Sequence, residues 1–474
     1  MSSRLRNSGD GIGAVHSPHD SGNDRGGSVD IAIVGGGVVG CAVARLAALA
    51  GHSVVIVEAR NDIGAGTSKA NTAILHTGFD AVPGSIEARL VARGYELLRE
   101  WAPRAGVTIE QTGAVLVAWD DEQAATLPAL RAKAHANGYA RAEVVDSAAV
   151  RDLEPHLGPG VTGGMVVPDE HIIDPWSTPI GLATEAVANG CRLLVNRHVT
   201  NVVVGGETTA LMMADGSIVR ARYVVNAAGL HGDTVHRLFG LDGFTVRPRR
   251  GELIVFDKLA RPLLGRTVLP VPTSHTKGVL VAPTVFGNIM LGPTADDIDD
   301  RNATASTRAG LDGLMAKGRR ILPNLAEEEV TAVYAGLRAA TEHGDYQLSH
   351  HPELRYVCLG GIRSTGLTAS MALAEEALRM LAECGLAAPR PHVSVTVRLT
   401  PLGEIDERPY LRGGRIVCHC ERVTADEITA ALCTAVPAVD VDGLRRRTRA
   451  LAGRCQGFYC FAEVCALTSW QAVQ

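Results

Sequence analysis

The chain has 474 residues, which exceeds one ordinary domain and suggests two or three. Its net charge of −5 and aromatic content of 4% give no footing for nucleic-acid binding through charge or base stacking. A hydrophobic content of 46% is ample for a buried core, and no stretch reads as a membrane span or a secretory signal.

Residues 1–28 are rich in Ser, Gly, Asp, Asn and Arg and are expected to form a disordered tail. Val29 to Val34 reads as a buried parallel strand. Gly35-Gly36-Gly37-Val38-Val39-Gly40 follows, then an Ala- and Leu-rich helix over Cys41 to Ala50 and a second strand over Ser53 to Glu58. This βαβ unit carries G-x-G-x-x-G at Gly35, Gly37 and Gly40. The spacing gives a tight turn, a close approach to a pyrophosphate and close helix–strand packing. Glu58 ends the second strand, where a carboxylate can bind ribose hydroxyls. Dinucleotide binding is the expectation, against a glycine-rich turn without ligand.

Further on, Asp80 to Ala105 reads as a helix and Gly113 to Trp119 as a strand in a separate layer. Leu193 to Val204 and Ile218 to Ala227 read as strands returning to the nucleotide domain. Arg249 to Phe256, Gly278 to Pro283 and Asn288 to Leu291 suggest an antiparallel sheet. Thr307 to Ile321 and Leu373 to Cys384 have helical apolar spacing. Pro389 to Pro409 reads as a linker.

The chain ends on two thiol pairs, Cys418-x-Cys420 and Cys455-x4-Cys460, with 34 residues between them. The other six of the ten cysteines are scattered, so no disulfide framework is indicated and a reducing, cytoplasmic setting is expected. Converging thiolates suit an iron–sulfur cluster or zinc, although Cys-x-Cys is tighter than zinc ligand pairs usually are. The run Arg445-Arg446-Arg447 reads either as a docking face that offsets a negative cluster or as a solvated helix face.

Gly64-Ala65-Gly66-Thr67-Ser68-Lys69-Ala70-Asn71, Val224-Val225-Asn226-Ala227-Ala228-Gly229 and Gly360 to Thr368 resemble the FAD-contacting segments of the D-amino-acid-oxidase-like flavoproteins. Ala73 to Phe79 (with His76), Pro83-Gly84-Ser85, Arg250-Gly251-Glu252 and Tyr334-Ala335-Gly336-Leu337-Arg338 resemble FAD-dependent glycerol-3-phosphate dehydrogenases of the anaerobic type. The L-2-hydroxyglutarate oxidases share related segments. The terminal cysteines, with Val423 to Ile428 and Gly443 to Cys455, resemble the [2Fe-2S] domain of bacterioferritin-associated ferredoxin.

The resemblance implies a mixed α/β and α+β fold. A Rossmann-like FAD-binding domain is interrupted by an antiparallel-sheet substrate domain over residues 29–388, with a linker at 389–411 and a small iron–sulfur module at 412–474. It implies FAD contacts from Gly35, Gly37, Gly40, Glu58, Thr67, Ser68, Asn71, Val199, Ala228, Gly229, Gly361, Gly366, Leu367 and Thr368. It implies a [2Fe-2S] cluster on Cys418, Cys420, Cys455 and Cys460. His76 is the candidate base, with His231 and His343 as weaker alternatives. Arg338 and Arg363 are the candidate anion binders, with Arg250 behind them.

The expected activity is oxidation of a small anionic hydroxy compound, glycerol 3-phosphate first, with electrons leaving through the cluster. The acceptor would be a protein or a quinone-linked subunit, through which a peripheral membrane association would arise. A 2-hydroxyacid or amine dehydrogenase and an electron-transfer subunit of a larger complex are the alternatives.

Overall fold

The run Val29–Val34, apolar apart from Asp30, is buried at every position and forms the centre of a sheet. The structure, a computed structural model, describes residues 27–272, 278–390, 393–403 and 414–470. The expected tail at 1–26, residues 391–392 and 404–411 of the expected linker, and the start of the module at 412–413 lie outside the described residues.

Val29–Val34 pairs in parallel with Val54–Val57 on one side and Ile218–Asn226 on the other. Arg192–Leu194 extends the sheet at one edge; Thr209–Met213 and Val199–Val204 extend it at the other. The end of Ile218–Asn226 pairs in parallel with Tyr356–Gly360. The single strand expected over Leu193 to Val204 is two strands. Asn196 turns the chain between them at φ 54°, a conformation that Asn tolerates better than most residues.

The helices begin at identifiable signals. Ile86–Ala105 starts later than expected, because Pro83 and Gly84 precede it and Ser85 caps it, accepting from Ala88 N–H. Gly366–Glu383 starts earlier than its apolar periodicity suggested, directly from the glycine loop. It packs with Val38–Leu49 over the nucleotide sheet, and small residues such as Ala44, Ala47 and Ala374 keep this layer close.

The second sheet has nine strands and is antiparallel apart from one parallel pair, Thr267–Pro270 with Ala114–Ala118. Its longest pair is Val246–Phe256 with Val330–Thr341, in a register that sets Arg249 opposite Arg338 and Gly251 opposite Gly336. Ile254, Phe256, Val281 and Leu291 form its core with Leu314 and Ile321 of helix Arg308–Ile321. The chain enters this sheet twice and returns to the first each time, so the two are interleaved as expected.

Residues 414–470 form a small unit. A hairpin of Ile416–Cys418 and Val423–Thr424 packs with helices Ala425–Leu432, Val441–Thr448 and Phe461–Thr468 around Val417, Ile428, Leu444 and Val464. Among the described residues no helix is long and apolar enough to cross a membrane.

Candidate active site

One cavity of about 1460 Å³ is lined by residues of both sheets. Its first wall is the glycine turn. Gly35 has φ 109°, and a Cβ there would collide with the Ala227 carbonyl; a Cβ at Gly40 would collide with the Gly35 carbonyl. Gly37 opens helix Val38–Leu49 without a side-chain cap of its own, and Val38 N–H donates to Ser68 Oγ at 3.0 Å. That amide is thus taken by Ser68, and the remaining first-turn amides, of Val39 and Gly40, are the backbone donors the helix start leaves for a pyrophosphate.

Glu58 borders the cavity, accepting from Gly36 N–H at 2.6 Å and Arg60 N–H at 2.8 Å. Burial raises its pKa above the ordinary carboxylate range, against the lowering effect of those donors. Thr67 Oγ1 donates to Leu337 O at 2.8 Å, and Asn71 Nδ2 to Ser68 O at 2.7 Å. These bonds fix the second segment as a wall joined to the substrate sheet. Val199, Ala228, Gly229, Gly361, Gly366 and Leu367 line the same cavity. A Cβ at Gly66 or Gly229, both on the cavity lining, would meet nothing within 4 Å, so these glycines face the open space of the cavity. Together this donor set and this space fit FAD. Thr368 differs from its companions. It lies buried behind the wall, accepting from His76 N–H at 3.0 Å and donating to Ile74 O at 3.3 Å.

The opposite wall carries titratable and charged side chains. His76 lines the cavity, and its Nδ1 lies 2.6 Å from Glu170 Oε1. Glu170 is fully buried, and its other oxygen accepts from Thr77 N–H at 2.7 Å and Thr77 Oγ1 at 2.9 Å. Both Thr77 contacts donate to Glu170, and an ionised carboxylate on that side favours the imidazole tautomer with its proton on Nδ1. Sequence reasoning missed Glu170, which lies 94 residues from His76 in a turn with no motif.

Arg338 also lines the cavity. Its hydrogen bond is to Thr294 O at 3.4 Å, and among the described residues no carboxylate pairs with it. Burial, then the neighbouring Arg249, pushes its pKa down to about 10. A Cβ at Gly251 would come within 2.8 Å of Arg338 Nη2, so this glycine makes room for the guanidinium. Arg249 is itself neutralised by Asp297 at 2.6 Å. Arg250 stands beside them with only long ion-pair distances, 3.8 Å to Glu252 and 3.9 Å to Asp296.

Arg363 reaches the cavity lining but is held by Glu87 at 3.1 Å and Gly344 O at 2.7 Å. His231 lines the cavity, and burial lowers its pKa. His343 is exposed, lies outside the lining and contacts Gly243 O.

In the C-terminal unit the Cys420 and Cys455 thiols are hydrogen-bonded, as are those of Cys418 and Cys460. Burial opposes ionisation of Cys455, but the amides of Tyr459, Gly457 and Phe458 and the Cys420 thiol hold its pKa below the ordinary thiol value. Such donors favour a thiolate ligand. Among the described residues no group of three or more ligating side chains converges closely enough to hold a metal ion, so the cluster assignment rests on the paired thiols and on the family match below. The arginine run faces neither the cluster nor solvent as a whole, for Arg446 and Arg447 are buried against Asp62.

Residues 30–380 match the FAD dependent oxidoreductase family, and residues 416–467 match the BFD-like [2Fe-2S] binding domain. The glycerol 3-phosphate dehydrogenase of Caloramator mitchellensis is 32% identical over 449 residues, covering 92% of each chain. One subunit of the anaerobic glycerol-3-phosphate dehydrogenase of Escherichia coli strain K12 is 26% identical over 93% of this chain and 88% of its own. The structure of dithionite-reduced L-α-glycerophosphate oxidase from Mycoplasma pneumoniae with FAD bound aligns with a TM-score of 0.72 at 29% identity, covering 75% of this chain and 95% of that one.

Proposed function

The chain belongs to the FAD dependent oxidoreductase family and closes on a BFD-like [2Fe-2S] binding domain, and on that premise we propose that it is a dehydrogenase oxidising glycerol 3-phosphate to dihydroxyacetone phosphate. The observation that carries the substrate class is Arg338, a cavity-facing guanidinium whose burial is compensated by no carboxylate among the described residues. A buried charge of this kind calls for an anionic ligand, and the fork of a guanidinium matches two phosphate oxygens.

The residues divide the work. Arg338, with Arg250 adding positive charge beside it, binds the phosphate and orients the secondary alcohol. His76 takes the hydroxyl proton on Nε2. Glu170 keeps the imidazole in that tautomer and stabilises its positive charge once protonated. FAD, when bound, supplies the hydride acceptor. Glu58 would hold its ribose, and the glycine turn with the first-turn amides of Val39 and Gly40 its pyrophosphate. Cys418, Cys420, Cys455 and Cys460 would hold the [2Fe-2S] cluster, which would supply a one-electron relay toward an acceptor protein or a quinone-linked subunit. A relay of this kind favours a dehydrogenase over direct reduction of oxygen.

The test is anaerobic mixing of the cluster-intact protein with candidate substrates while flavin absorbance is followed. Glycerol 3-phosphate is expected to bleach the flavin rapidly, whereas 2-hydroxyglutarate and proline leave it oxidised. Bleaching by 2-hydroxyglutarate instead would move the substrate to a carboxylate on the same arginine. No bleaching by any of them would overturn the catalytic reading.

A further inference from the structure

The stretch that walls the dinucleotide cavity has a second face, and that face grips the C-terminal unit. Asp62 follows Glu58 by four residues and is 3% exposed. Its carboxylate accepts from Arg446 and from both terminal nitrogens of Arg447, the latter at 2.8 Å each. Asn61 donates to Asp440 at 2.6 Å, and Lys69 pairs with Asp442. Helix Val441–Thr448 and its cap are therefore anchored to the segment whose other side meets the cofactor.

Across the same seam, Trp176 Nε1 donates to Lys69 O at 3.1 Å, and its ring lies 5.3 Å from that of Phe286. Arg449 covers both rings, at 5.3 Å from Trp176 and 4.0 Å from Phe286. Its Nε donates to Glu421, the neighbour of Cys420, at 3.0 Å. A small, partly open pocket of about 30 Å³ lies beside Cys420, Phe286 and Lys258. Covalent neighbours and packed side chains thus run from the cofactor wall to a cluster ligand with little solvent between.

We propose that Asp62 is a positioning residue for electron transfer, its grip on Arg446 and Arg447 holding the cluster unit docked so that electrons pass to it within one chain. The inference rests on the flavin-to-cluster reading above. The step moves one electron and makes or breaks no bond. Of the pair taken from the substrate, one electron crosses the seam and turns one ferric iron ferrous. The second follows after a one-electron acceptor protein has drawn off the first.

Isolated charge pairs on a surface contribute little. This one is buried on both sides, so replacing the arginines leaves Asp62 unpaired unless the seam opens and water enters. In the Arg446→Gln/Arg447→Gln holoenzyme, flavin bleaching by glycerol 3-phosphate should keep its wild-type rate. Bleaching of the cluster band should slow on the order of tenfold, the factor imposed when about one molecule in ten is docked. Cluster content and its electron paramagnetic resonance signature should be unchanged.

Asp62→Asn, which leaves the unit's own sequence intact, should show the same separation and serves if the double variant assembles poorly. Equal slowing of flavin and cluster, wild-type cluster kinetics in both variants, or loss of the cluster in both would overturn the proposal. Light-driven flavin reduction replaces the substrate if glycerol 3-phosphate fails to bleach the wild type, so failure of the substrate reading and of the anchor are seen separately.

Discussion

The two walls of the cavity are built by different rules. The dinucleotide wall comes mainly from one continuous stretch, Val29 to Asn71, and its geometry is set chiefly by backbone: glycines whose Cβ would strike neighbouring carbonyls and a helix start without a side-chain cap of its own. The substrate wall collects His76, Glu170, Arg250 and Arg338 from strands and turns spread over most of the chain, and its properties are set by side chains. Damage to the first should therefore destroy the protein or its cofactor. Damage to the second should leave a well-folded flavoprotein that turns over slowly.

Gly40→Val is the harshest test of the first half. Its Cβ would run into the Gly35 carbonyl, which is backbone and has nowhere to go. We expect a loss of more than about 4 kcal/mol of stability and no retained FAD, measured by thermal unfolding and flavin content. A stable, yellow variant would break the contrast outright.

His76→Gln tests the second half. Removing the base should lower kcat by about 10² to 10⁴ with FAD content and melting temperature unchanged. Glu170→Gln is the subtler version. Its amide oxygen must face Thr77 N–H, so its NH2 is turned toward His76 Nδ1. That forces the imidazole proton onto Nε2, the nitrogen needed as base. A fall within the same range of about 10² to 10⁴ in kcat is expected, because a base held in the wrong tautomer no longer acts as one. Unchanged kcat would mean that Glu170 serves packing alone. Arg338→Lys keeps the charge and loses the fork, so about one charge-assisted hydrogen bond disappears. kcat/KM should fall roughly tenfold to a hundredfold. A loss confined to a carboxylate substrate, with glycerol 3-phosphate untouched, would reassign the anion.

The same contrast explains what could be read from the sequence. Gly35, Gly37, Gly40 and Glu58 are legible because local backbone demands fix their spacing, and residues 30–380 belong to the family those segments suggest. Glu170 is not legible, since only the pairing of Ile74–Leu75 with His171–Ile173 brings it to His76. The isolation of Arg338 is equally invisible, because it depends on Asp297 neutralising the arginine across the strand. Arg446 and Arg447 look like any charged helix face until Asp62 is placed against them. Arg363 shows the converse, for its flavoprotein-like loop hides the Glu87 partner that occupies part of its guanidinium.

Glu58 is the carboxylate of the backbone-built wall, and its predicted effect is the smallest. Burial raises its folded pKa, and the two backbone donors only partly offset this. The fold therefore holds the proton to higher pH than the unfolded chain does, so the cofactor-free protein loses stability as pH rises from the ordinary carboxylate value through the folded one. Ribose hydroxyls donate to the ionised carboxylate, so FAD affinity should rise over that same window just above the ordinary carboxylate range. Glu58→Gln should remove this rise and weaken FAD binding about tenfold above it, the value of one charge-assisted hydrogen bond. Titration of the cofactor-free protein with FAD, followed by flavin fluorescence at a series of pH values, measures both. A wild-type affinity flat in pH, or a variant with the same slope as the wild type, would show that the ribose is held without the Glu58 charge.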